Sequence, residues 1–211
     1  MRHTFFSNRN PSFELLRVVS MLMIVSLHFF MHGGVLDATE IGTWENTLFY
    51  FLQGIFYVSV NQFVLISGYF GIQTISAGKL YRYYAQVLFY AVLTFMLAAL
   101  LDQQQISLQN LLYLFTPISS KVYWFASKYF ILLLLAPLLQ KLIENLSVQQ
   151  HLHACLLLIL IFSIWPSIIF WQDIGLGNGF DFFWLATVYF LGAYLKRKQV
   201  SSVCSISEPC I

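Results

Sequence analysis

The feature that most constrains this chain is a series of six apolar stretches of roughly membrane-spanning length, the last of them shorter than the rest. A hydrocarbon core about 30 Å thick requires about 20 helical residues. Charged residues make up only 9% of the 211 residues, too few to cover the surface of a soluble domain. The chain is therefore predicted to be an all-α, polytopic bundle of about six transmembrane helices. The predicted spans are Leu15–Leu36, Thr47–Phe70, Tyr83–Leu101, Tyr123–Leu139, Leu152–Trp171 and Phe180–Leu195.

Other interpretations of the apolar stretches are disfavoured. A β-barrel would show strict alternation, which these stretches lack, and open sheet edges are not tolerated in lipid. The first stretch is longer than the roughly 7–15 apolar residues of a signal peptide, so we expect it to remain as an anchor. A further apolar run, Leu111–Phe115, is too short to span and is predicted to be interfacial or re-entrant.

The distribution of charge predicts the orientation, because cytoplasmic loops carry the excess of Lys and Arg. With a cytoplasmic N-terminus, nine of the eleven basic residues fall on inner segments and six of the nine acidic residues on outer loops. The inner cations are Arg2, Arg9, Arg17, Lys79, Arg82, Lys141, Lys196, Arg197 and Lys198, and the outer acids are Asp37, Glu40, Glu45, Asp102, Asp173 and Asp181. Both termini are predicted to be cytoplasmic. The net charge of +2 gives no electrostatic case for nucleic acid.

Neither the cysteines nor the histidines form a pattern typical of a metal site. Cys155 lies in a predicted span, where a thiol behaves as a small apolar group. Cys204 and Cys210 would be cytoplasmic, where disulfides are rare. His28 and His32 are one turn apart, but two ligands without a third are weak evidence, so no metal is predicted.

The first apolar stretch carries three polar side chains on one side of its predicted helix. Arg17 and His28 are eleven residues apart, about 1,100° of helix, so they point the same way about 16 Å apart along the axis. Glu14 is one turn before Arg17, close enough to pair with it. In one interpretation Arg17 snorkels to headgroups and His28 hydrogen-bonds inside the bundle. In the other, the imidazole is a base, since it accepts and returns protons near neutral pH.

Further along the chain, five residues allow both a structural and a functional interpretation. Gly68 and Gly71 allow close helix packing or a helix break. Lys79 and Arg82, one turn apart, suit contact with lipid headgroups or a cytoplasmic anion site. Lys128 follows an aromatic run and suits an interfacial anchor, with a cavity-facing role as the alternative.

Four segments, in order and each on the matching helix, resemble the membrane acyltransferase-3 family. They are Arg17 and His28 with ten residues between them, the Phe63–Phe70 segment similar to an F-x-L-S-G-Y motif, Lys79 and Arg82 with Lys in place of the first Arg of an Arg-x-x-Arg pair, and Tyr123-Trp124-Phe125 followed by Tyr129 and Pro137. The segment from Arg9 to Gly34 is also similar to the branch found in exopolysaccharide and capsule gene clusters of Gram-positive bacteria.

The resemblance implies an enzyme that transfers an acyl group, usually acetyl, from cytoplasmic acetyl-CoA or another acyl-CoA to a sugar hydroxyl of a surface glycan. It implies that His28 is the general base and that Arg17, with Glu14, positions the donor or stabilises its charge. The CoA side would be bound by Lys79, Arg82, Ser67 and Tyr69, and the acceptor side by Trp124 and Lys128. Acyl-CoA would be a co-substrate, with no resident cofactor.

The resemblance also implies a place and partners. We expect a multi-pass protein of the bacterial cytoplasmic membrane, in contact with lipids and with a surface polysaccharide or lipid-linked glycan. The family-like domain is predicted at residues 9–196, followed by a polar cytoplasmic tail at 197–211. Because family chains have about ten helices, we expect a domain incomplete at its C-terminal end, which acts with a second subunit, forms an oligomer or is inactive alone.

Two rival hypotheses remain open at the level of the sequence. A transporter or flippase for a glycan or lipid carrier would line its path with the polar stripe. Such proteins typically show internal repeats and midplane charges, whereas this sequence has no clear repeat and few midplane charges. An inactive, shortened remnant of the acyltransferase is the second rival.

Overall fold

A computed structural model describes residues 10–101, 107–118, 123–168 and 181–207, with side chains up to residue 200. Within these ranges the chain is helical and contains no strand, which confirms the predicted all-α fold. A π-helical turn at Leu160–Ile164 joins the seventh and eighth helices. The helices are α1 (Pro11–His32), α2 (Trp44–Phe56), α3 (Val58–Phe70), α4 (Ala77–Leu100), α5 (Leu108–Phe115), α6 (Trp124–Asn145), α7 (Val148–Ile159), α8 (Trp165–Ile168) and α9 (Phe182–Ser207).

Five helical segments of the described chain are long and apolar enough to cross a membrane, and they correspond to the first five predicted spans. They are Pro11–His32, Trp44–Phe70, Ala77–Leu100, Trp124–Asn145 and Val148–Ile168. The predicted sixth span falls in α9, which is not among them because three consecutive cations, Lys196 to Lys198, follow its apolar part. That crossing, the total number of spans and the orientation stay predictions.

Several sequence-based predictions concern residues outside the described ranges or side chains that are not described. They involve Arg2, Arg9, Asp102, Asp173, Cys204, Cys210 and the ends of two predicted spans at Trp171 and Phe180. The short run Leu111–Phe115 lies in α5, which has only eight residues. This confirms a helix too short to span, and its depth in the membrane stays a prediction.

Polar residues set where the helices begin. At the N-cap of five of the described helices, a side-chain oxygen accepts a hydrogen bond from a backbone N–H of the first turn, which has no partner inside the helix. The capping residues are Asn10 for α1, Thr43 for α2, Ser76 for α4, Ser107 for α5 and Ser147 for α7. Ser147 also forms a capping box with Gln150. These local signals give sharp starts to helices whose interiors are almost uniformly apolar.

The buried core lies around α9. Its residues Leu185, Val188, Tyr189, Phe190 and Ala193 are buried against α3, α6 and α7. By contrast, α1 and α4 expose most of their Leu, Phe and Met side chains. In a membrane these exposed faces contact acyl chains, so they carry no hydrophobic penalty and packing, not burial from water, holds the helices together.

The closest helix contact is the crossing of α3 and α9. A Cβ atom on Gly68 would lie 2.0 Å from the backbone oxygen of Tyr189, and one on Gly192 would lie 2.1 Å from that of Leu65. Only glycine permits such a backbone approach, so the close packing predicted for Gly68 is confirmed. Gly71 ends α3 with a φ of 70°, a conformation that favours glycine, which is the helix break that the sequence predicted.

One end of the bundle, here called the Arg17 end, gathers the start of α1, the end of α3 and the C-terminal half of α9. The rings of Phe13 and Phe70 lie 4.9 Å apart between centroids. The Nζ atom of Lys196 lies 3.5 Å from the backbone oxygen of Phe70. Arg17, one turn after Phe13 on α1, therefore lies close to the end of α3, which Lys196 of α9 also contacts.

The opposite half of the bundle, here called the His28 end, contains the end of α1 packed against α2, and the start of α6 joined to the residue before α9. The rings of Phe30 and Phe49 lie 5.5 Å apart. Lys128, just inside α6, forms an ion pair with Asp181, the residue that precedes α9. His28 lies near this end of α1, so the two polar ends of the predicted stripe face opposite ends of the bundle.

Candidate functional site

The Arg17 side chain lies in a defined local environment. Its Nη1 donates a hydrogen bond to Oε1 of Glu14 at 2.5 Å, so the predicted pair within α1 is confirmed. Its guanidinium carbon lies 5.7 Å from the centroid of the Phe70 ring, within the range of a cation–π contact. The two charged side chains remain 38% and 42% exposed, so the pair is still accessible to a ligand.

The His28 imidazole is exposed and held by its own helix. Its Nδ1 lies 2.9 Å from the backbone oxygen of Ile24. A carbonyl oxygen only accepts hydrogen bonds, so in the neutral imidazole Nδ1 carries the proton and Nε2 keeps a free lone pair. The ring of His32 lies 6.0 Å away. The hydrogen bond leaves Nε2 as the nitrogen that can accept a proton.

Arg17 and His28 lie on one unbroken helix but do not meet. The continuous helix from Pro11 to His32 keeps the predicted spacing of about 16 Å along the axis. One small group cannot touch both side chains at once. Any substrate shared by the pair must be long enough to reach from one end of the bundle to near the other.

Two predicted donor-site residues on α3 contact other helices. The Ser67 hydroxyl lies 2.9 Å from the Tyr129 hydroxyl of α6 and donates to the Phe63 carbonyl in its own helix. The Tyr69 hydroxyl donates to Oε1 of Gln199, and its ring lies 4.8 Å from that of Phe13. Tyr69 therefore lies at the Arg17 end, whereas the Ser67 hydroxyl is turned toward α6.

The predicted anion pair on α4 lies apart from these residues. Lys79 and Arg82 are exposed at the start of α4. The Nζ atom of Lys79 lies 3.5 Å from the Thr74 carbonyl oxygen, a weak contact with the preceding loop. Neither side chain lines the cavity described next, so the structure does not join them to Tyr69 in one pocket.

A cavity of about 490 Å³ opens at the Arg17 end, between the ends of α3, α6 and α9 and the start of α7. Its wall includes Tyr69 and Phe70, the ring that contacts Arg17. Its polar residues are Gln73, Gln140, Glu144, Lys196 and Arg197. The volume is within the range of about 300–1,000 Å³ typical of small-molecule sites.

Arg197 and His151 form a buried polar connection behind this cavity. Arg197 donates to the carbonyl oxygens of Ile143 at 2.9 Å and Leu146 at 2.8 Å at the end of α6, where the Ile143 oxygen also accepts the backbone N–H of Leu146. His151 is fully buried, with Nε2 at 3.0 Å from the Phe190 oxygen and Nδ1 at 3.4 Å from Arg197. The carbonyl accepts from Nε2–H, so Nδ1 is the acceptor for Arg197.

The sequence alone did not identify this connection. His151 lies in an apolar helix without a recognisable motif, and Arg197 was interpreted only as a topology signal. The capping box at Ser147 was the local signal that would have placed His151 in the first turn of a helix, facing a neighbour.

The two predicted acceptor residues, Trp124 and Lys128, lie one turn apart on α6 and contact each other. The Nζ atom of Lys128 lies 5.8 Å from the Trp124 ring centroid and 3.0 Å from Oδ1 of Asp181. Nearby on α9, the indole N–H of Trp184 donates to Oδ1 of Asn61 at 3.1 Å. In the sequence Asp181 is only an outer-loop charge, and its ion pair could not be inferred because Lys128 lies 53 positions earlier in the chain.

Side chains of metal-binding type are dispersed in the part of the chain that the structure describes. No three His, Cys, Asp or Glu residues there lie together.

The model of the acyltransferase-3 family, described as an acyltransferase domain, matches residues 10–202, from the N-cap of α1 to the C-terminal part of α9. No curated protein and no solved structure matches the chain.

Proposed function

The chain belongs to the acyltransferase-3 family, and from this we propose that it transfers an acyl group, acetyl in the first instance, from acyl-CoA to a hydroxyl of a cell-surface polysaccharide or its lipid-linked precursor. Family membership and the apolar helices identify a multi-pass membrane acyltransferase. O-acyl specificity, the CoA donor, the glycan acceptor and the bacterial cytoplasmic membrane are parts of the proposal. The similarity of residues 9–34 to the exopolysaccharide and capsule branch supports the choice of acceptor.

The reaction assigned to His28 is general-base attack on a thioester. The acceptor hydroxyl oxygen bonds to the thioester carbonyl carbon while its proton passes to Nε2 of His28. The C–S bond then breaks, CoA leaves as the thiolate, and the imidazolium returns the proton to that sulfur. The hydrogen bond from Nδ1 to Ile24 supports this role, because it leaves Nε2 as the basic nitrogen.

Arg17 has a different role, binding a remote part of the donor. It lies about 16 Å from His28 along α1, so it cannot stabilise charge on the reacting carbonyl of a donor held at His28. A long, anionic donor such as acyl-CoA can reach both, with its charged portion at the Arg17 end. Glu14 positions the guanidinium, and Phe70 packs against it.

The acceptor is assigned to the His28 end. Trp124 offers a broad ring face, and Lys128 is fixed beside it by Asp181. In this orientation the Arg17 end faces the cytoplasm, where acyl-CoA is made, and the glycan is reached from the other side. Holding donor and acceptor in register converts a two-substrate encounter into a positioned reaction, which contributes much of the rate.

The observation that carries the proposal is the family match together with a free Nε2 on the helix that also bears Arg17. The test incubates membranes containing the chain with acetyl-CoA labelled in the acetyl group and a surface glycan or its lipid-linked precursor. We expect label in the glycan, released by mild alkali as an O-ester would be.

Membranes without the chain are the control for that assay. Label that resists mild alkali would contradict O-acyl transfer. Movement of glycan across the membrane without any labelling would instead favour a transporter or flippase.

A further inference from the structure

The cavity at the Arg17 end carries charged groups that the proposed transfer step does not use. Lys196 lies on its α9 wall and is exposed, and its hydrogen bond to the Phe70 carbonyl is long, at 3.5 Å. Its ammonium group therefore keeps most of its capacity to donate to a ligand.

The neighbouring Arg197 contributes charge rather than donors. Its guanidinium already donates to the carbonyl oxygens of Ile143 and Leu146, at 2.9 and 2.8 Å. Those bonds, with buried His151 behind them, fix the guanidinium in the wall and leave its positive charge there. Two adjacent cations on α9 therefore make this side of the cavity attractive to an anion.

The α6 residues that line the cavity include a positioned carboxylate. Glu144 accepts hydrogen bonds from Nε2 of Gln73 at 2.8 Å and from Nε2 of Gln140 at 3.1 Å. Two amide donors hold its orientation while further lone-pair sites stay open. This group repels a ligand that is only anionic and favours one that also has a hydroxyl or amine.

From these groups of opposite charge we propose that the cavity binds a phosphate ester that also carries a hydroxyl or amine group. The phosphate contacts Lys196 in the field of Arg197, and the hydroxyl or amine donates to Glu144. Two candidate ligands have this chemistry. One is the nucleotide portion of CoA, an assignment that rests on the proposed function, and the other is the headgroup of an aminophospholipid, which does not.

The test uses the full chain purified in detergent. Binding of CoA is measured by calorimetry, and retention of added phosphatidylethanolamine against phosphatidylglycerol by native mass spectrometry. We expect Lys196→Ala to weaken binding of the cavity ligand about 10- to 100-fold, the loss of a charge-assisted hydrogen bond. Lys198→Ala, on the same helix but not lining the cavity, is the matched control and should bind normally.

Glu144→Gln sharpens the result, because it keeps the size of the side chain and removes its charge. A ligand that donates to Glu144 should bind the variant more weakly, whereas inorganic phosphate, which is repelled by the carboxylate, should bind it more tightly. Tighter binding of CoA or of the aminophospholipid to Glu144→Gln would overturn the inference. Unchanged unfolding temperatures show that the variants are folded.

The outcomes also separate this inference from the proposed function. CoA binding that depends on Lys196 supports the cavity as the donor site, and selective retention of phosphatidylethanolamine that depends on Lys196 supports the headgroup. A third outcome is that acetyl transfer occurs, but CoA affinity and lipid retention are equal in the Lys196→Ala and Lys198→Ala variants. This outcome overturns the proposed cavity ligand and leaves the enzyme assignment intact. Lipid retention that depends on Lys196, without any acetyl transfer, supports the cavity ligand and overturns the enzyme assignment.

Discussion

The two ends of the bundle are built differently. At the Arg17 end, hydrogen bonds join α9 to α3 and to α6, including those from Arg197 to Ile143 and Leu146. These helices surround a polar cavity. At the His28 end, aromatic rings and the ion pair between Lys128 and Asp181 join the helices. His28 itself is hydrogen-bonded to its own helix and is exposed.

The difference fits a division of labour between binding and reaction. Groups that hold a ligand must be fixed before it arrives, and interhelical hydrogen bonds fix them at low cost in an apolar environment. A base must instead keep one nitrogen free until the acceptor approaches. The Arg17 end therefore has the properties of a binding site, and His28 those of a reacting group.

The largest expected effect comes from replacing His28, the group assigned to the reaction. Replacing it by Ala removes the base but no contact to another helix that the structure describes, so we expect acetyl transfer to fall about 10²–10⁴-fold while the unfolding temperature is unchanged. The measurement is the O-acetyl content of the glycan, with labelled acetyl-CoA for the rate.

His32→Ala is the matched control for that variant, since it is an exposed histidine one turn further along α1. It should retain transfer within about twofold of the unchanged chain. Normal acetylation by His28→Ala would remove this imidazole from the mechanism, and equal losses in both variants would indicate a role of the helix end rather than of the base.

The next effect concerns the rigidity of the Arg17 end, whose cavity includes Gly68. A methyl group there would lie 2.0 Å from a backbone oxygen of α9, so the helices must separate. We expect Gly68→Ala to lower the free energy of unfolding by about 1–3 kcal/mol, measured by thermal denaturation in detergent.

Gly54→Ala tests whether this loss comes from the crossing. Gly54 lies in α2 with nothing within 4 Å of its Cβ position, so the same substitution should leave stability unchanged or raise it by up to about 1 kcal/mol. Equal losses in the two variants would mean that the α3–α9 crossing is looser than the structure has it.

Much of this architecture could be predicted from the sequence because it follows from local rules. Helix length and apolarity located five spans, the i, i+3 spacing paired Glu14 with Arg17, and Gly68 indicated a close helix contact. Each of these depends on residues near one another in the chain or on the thickness of a bilayer.

What could not be predicted depends on which helices meet. The cavity draws Gln73, Glu144 and Lys196 from three distant parts of the chain, and Arg197 reaches residues about fifty positions earlier. Apolar helices have similar faces all round in lipid, so their composition gives little information about their neighbours. The donor site predicted at Lys79 stays a prediction for the same reason.

A smaller effect sharpens the description of the His28 end. Lys128 and Asp181 are 28% and 23% exposed, so their attraction is only partly screened. In a double-mutant cycle with Lys128→Met and Asp181→Asn, we expect a coupling free energy of about 1 kcal/mol, measured from unfolding temperatures. A coupling of zero would mean that the pair does not join α6 to α9, and Trp124 would be positioned by packing alone.

The smallest effect separates a structural from a donor-binding role for Ser67. Its hydroxyl is already bonded to Tyr129 and to the Phe63 carbonyl. We expect Ser67→Ala and Tyr129→Phe to couple by about 0.6 kcal/mol, the average for hydrogen bonds between membrane helices. Both variants should have the same KM for acyl-CoA as the unchanged chain, because neither substitution alters a group that faces the donor. A KM raised in Ser67→Ala but not in Tyr129→Phe would instead place this hydroxyl in the donor site and extend that site from the cavity toward α6.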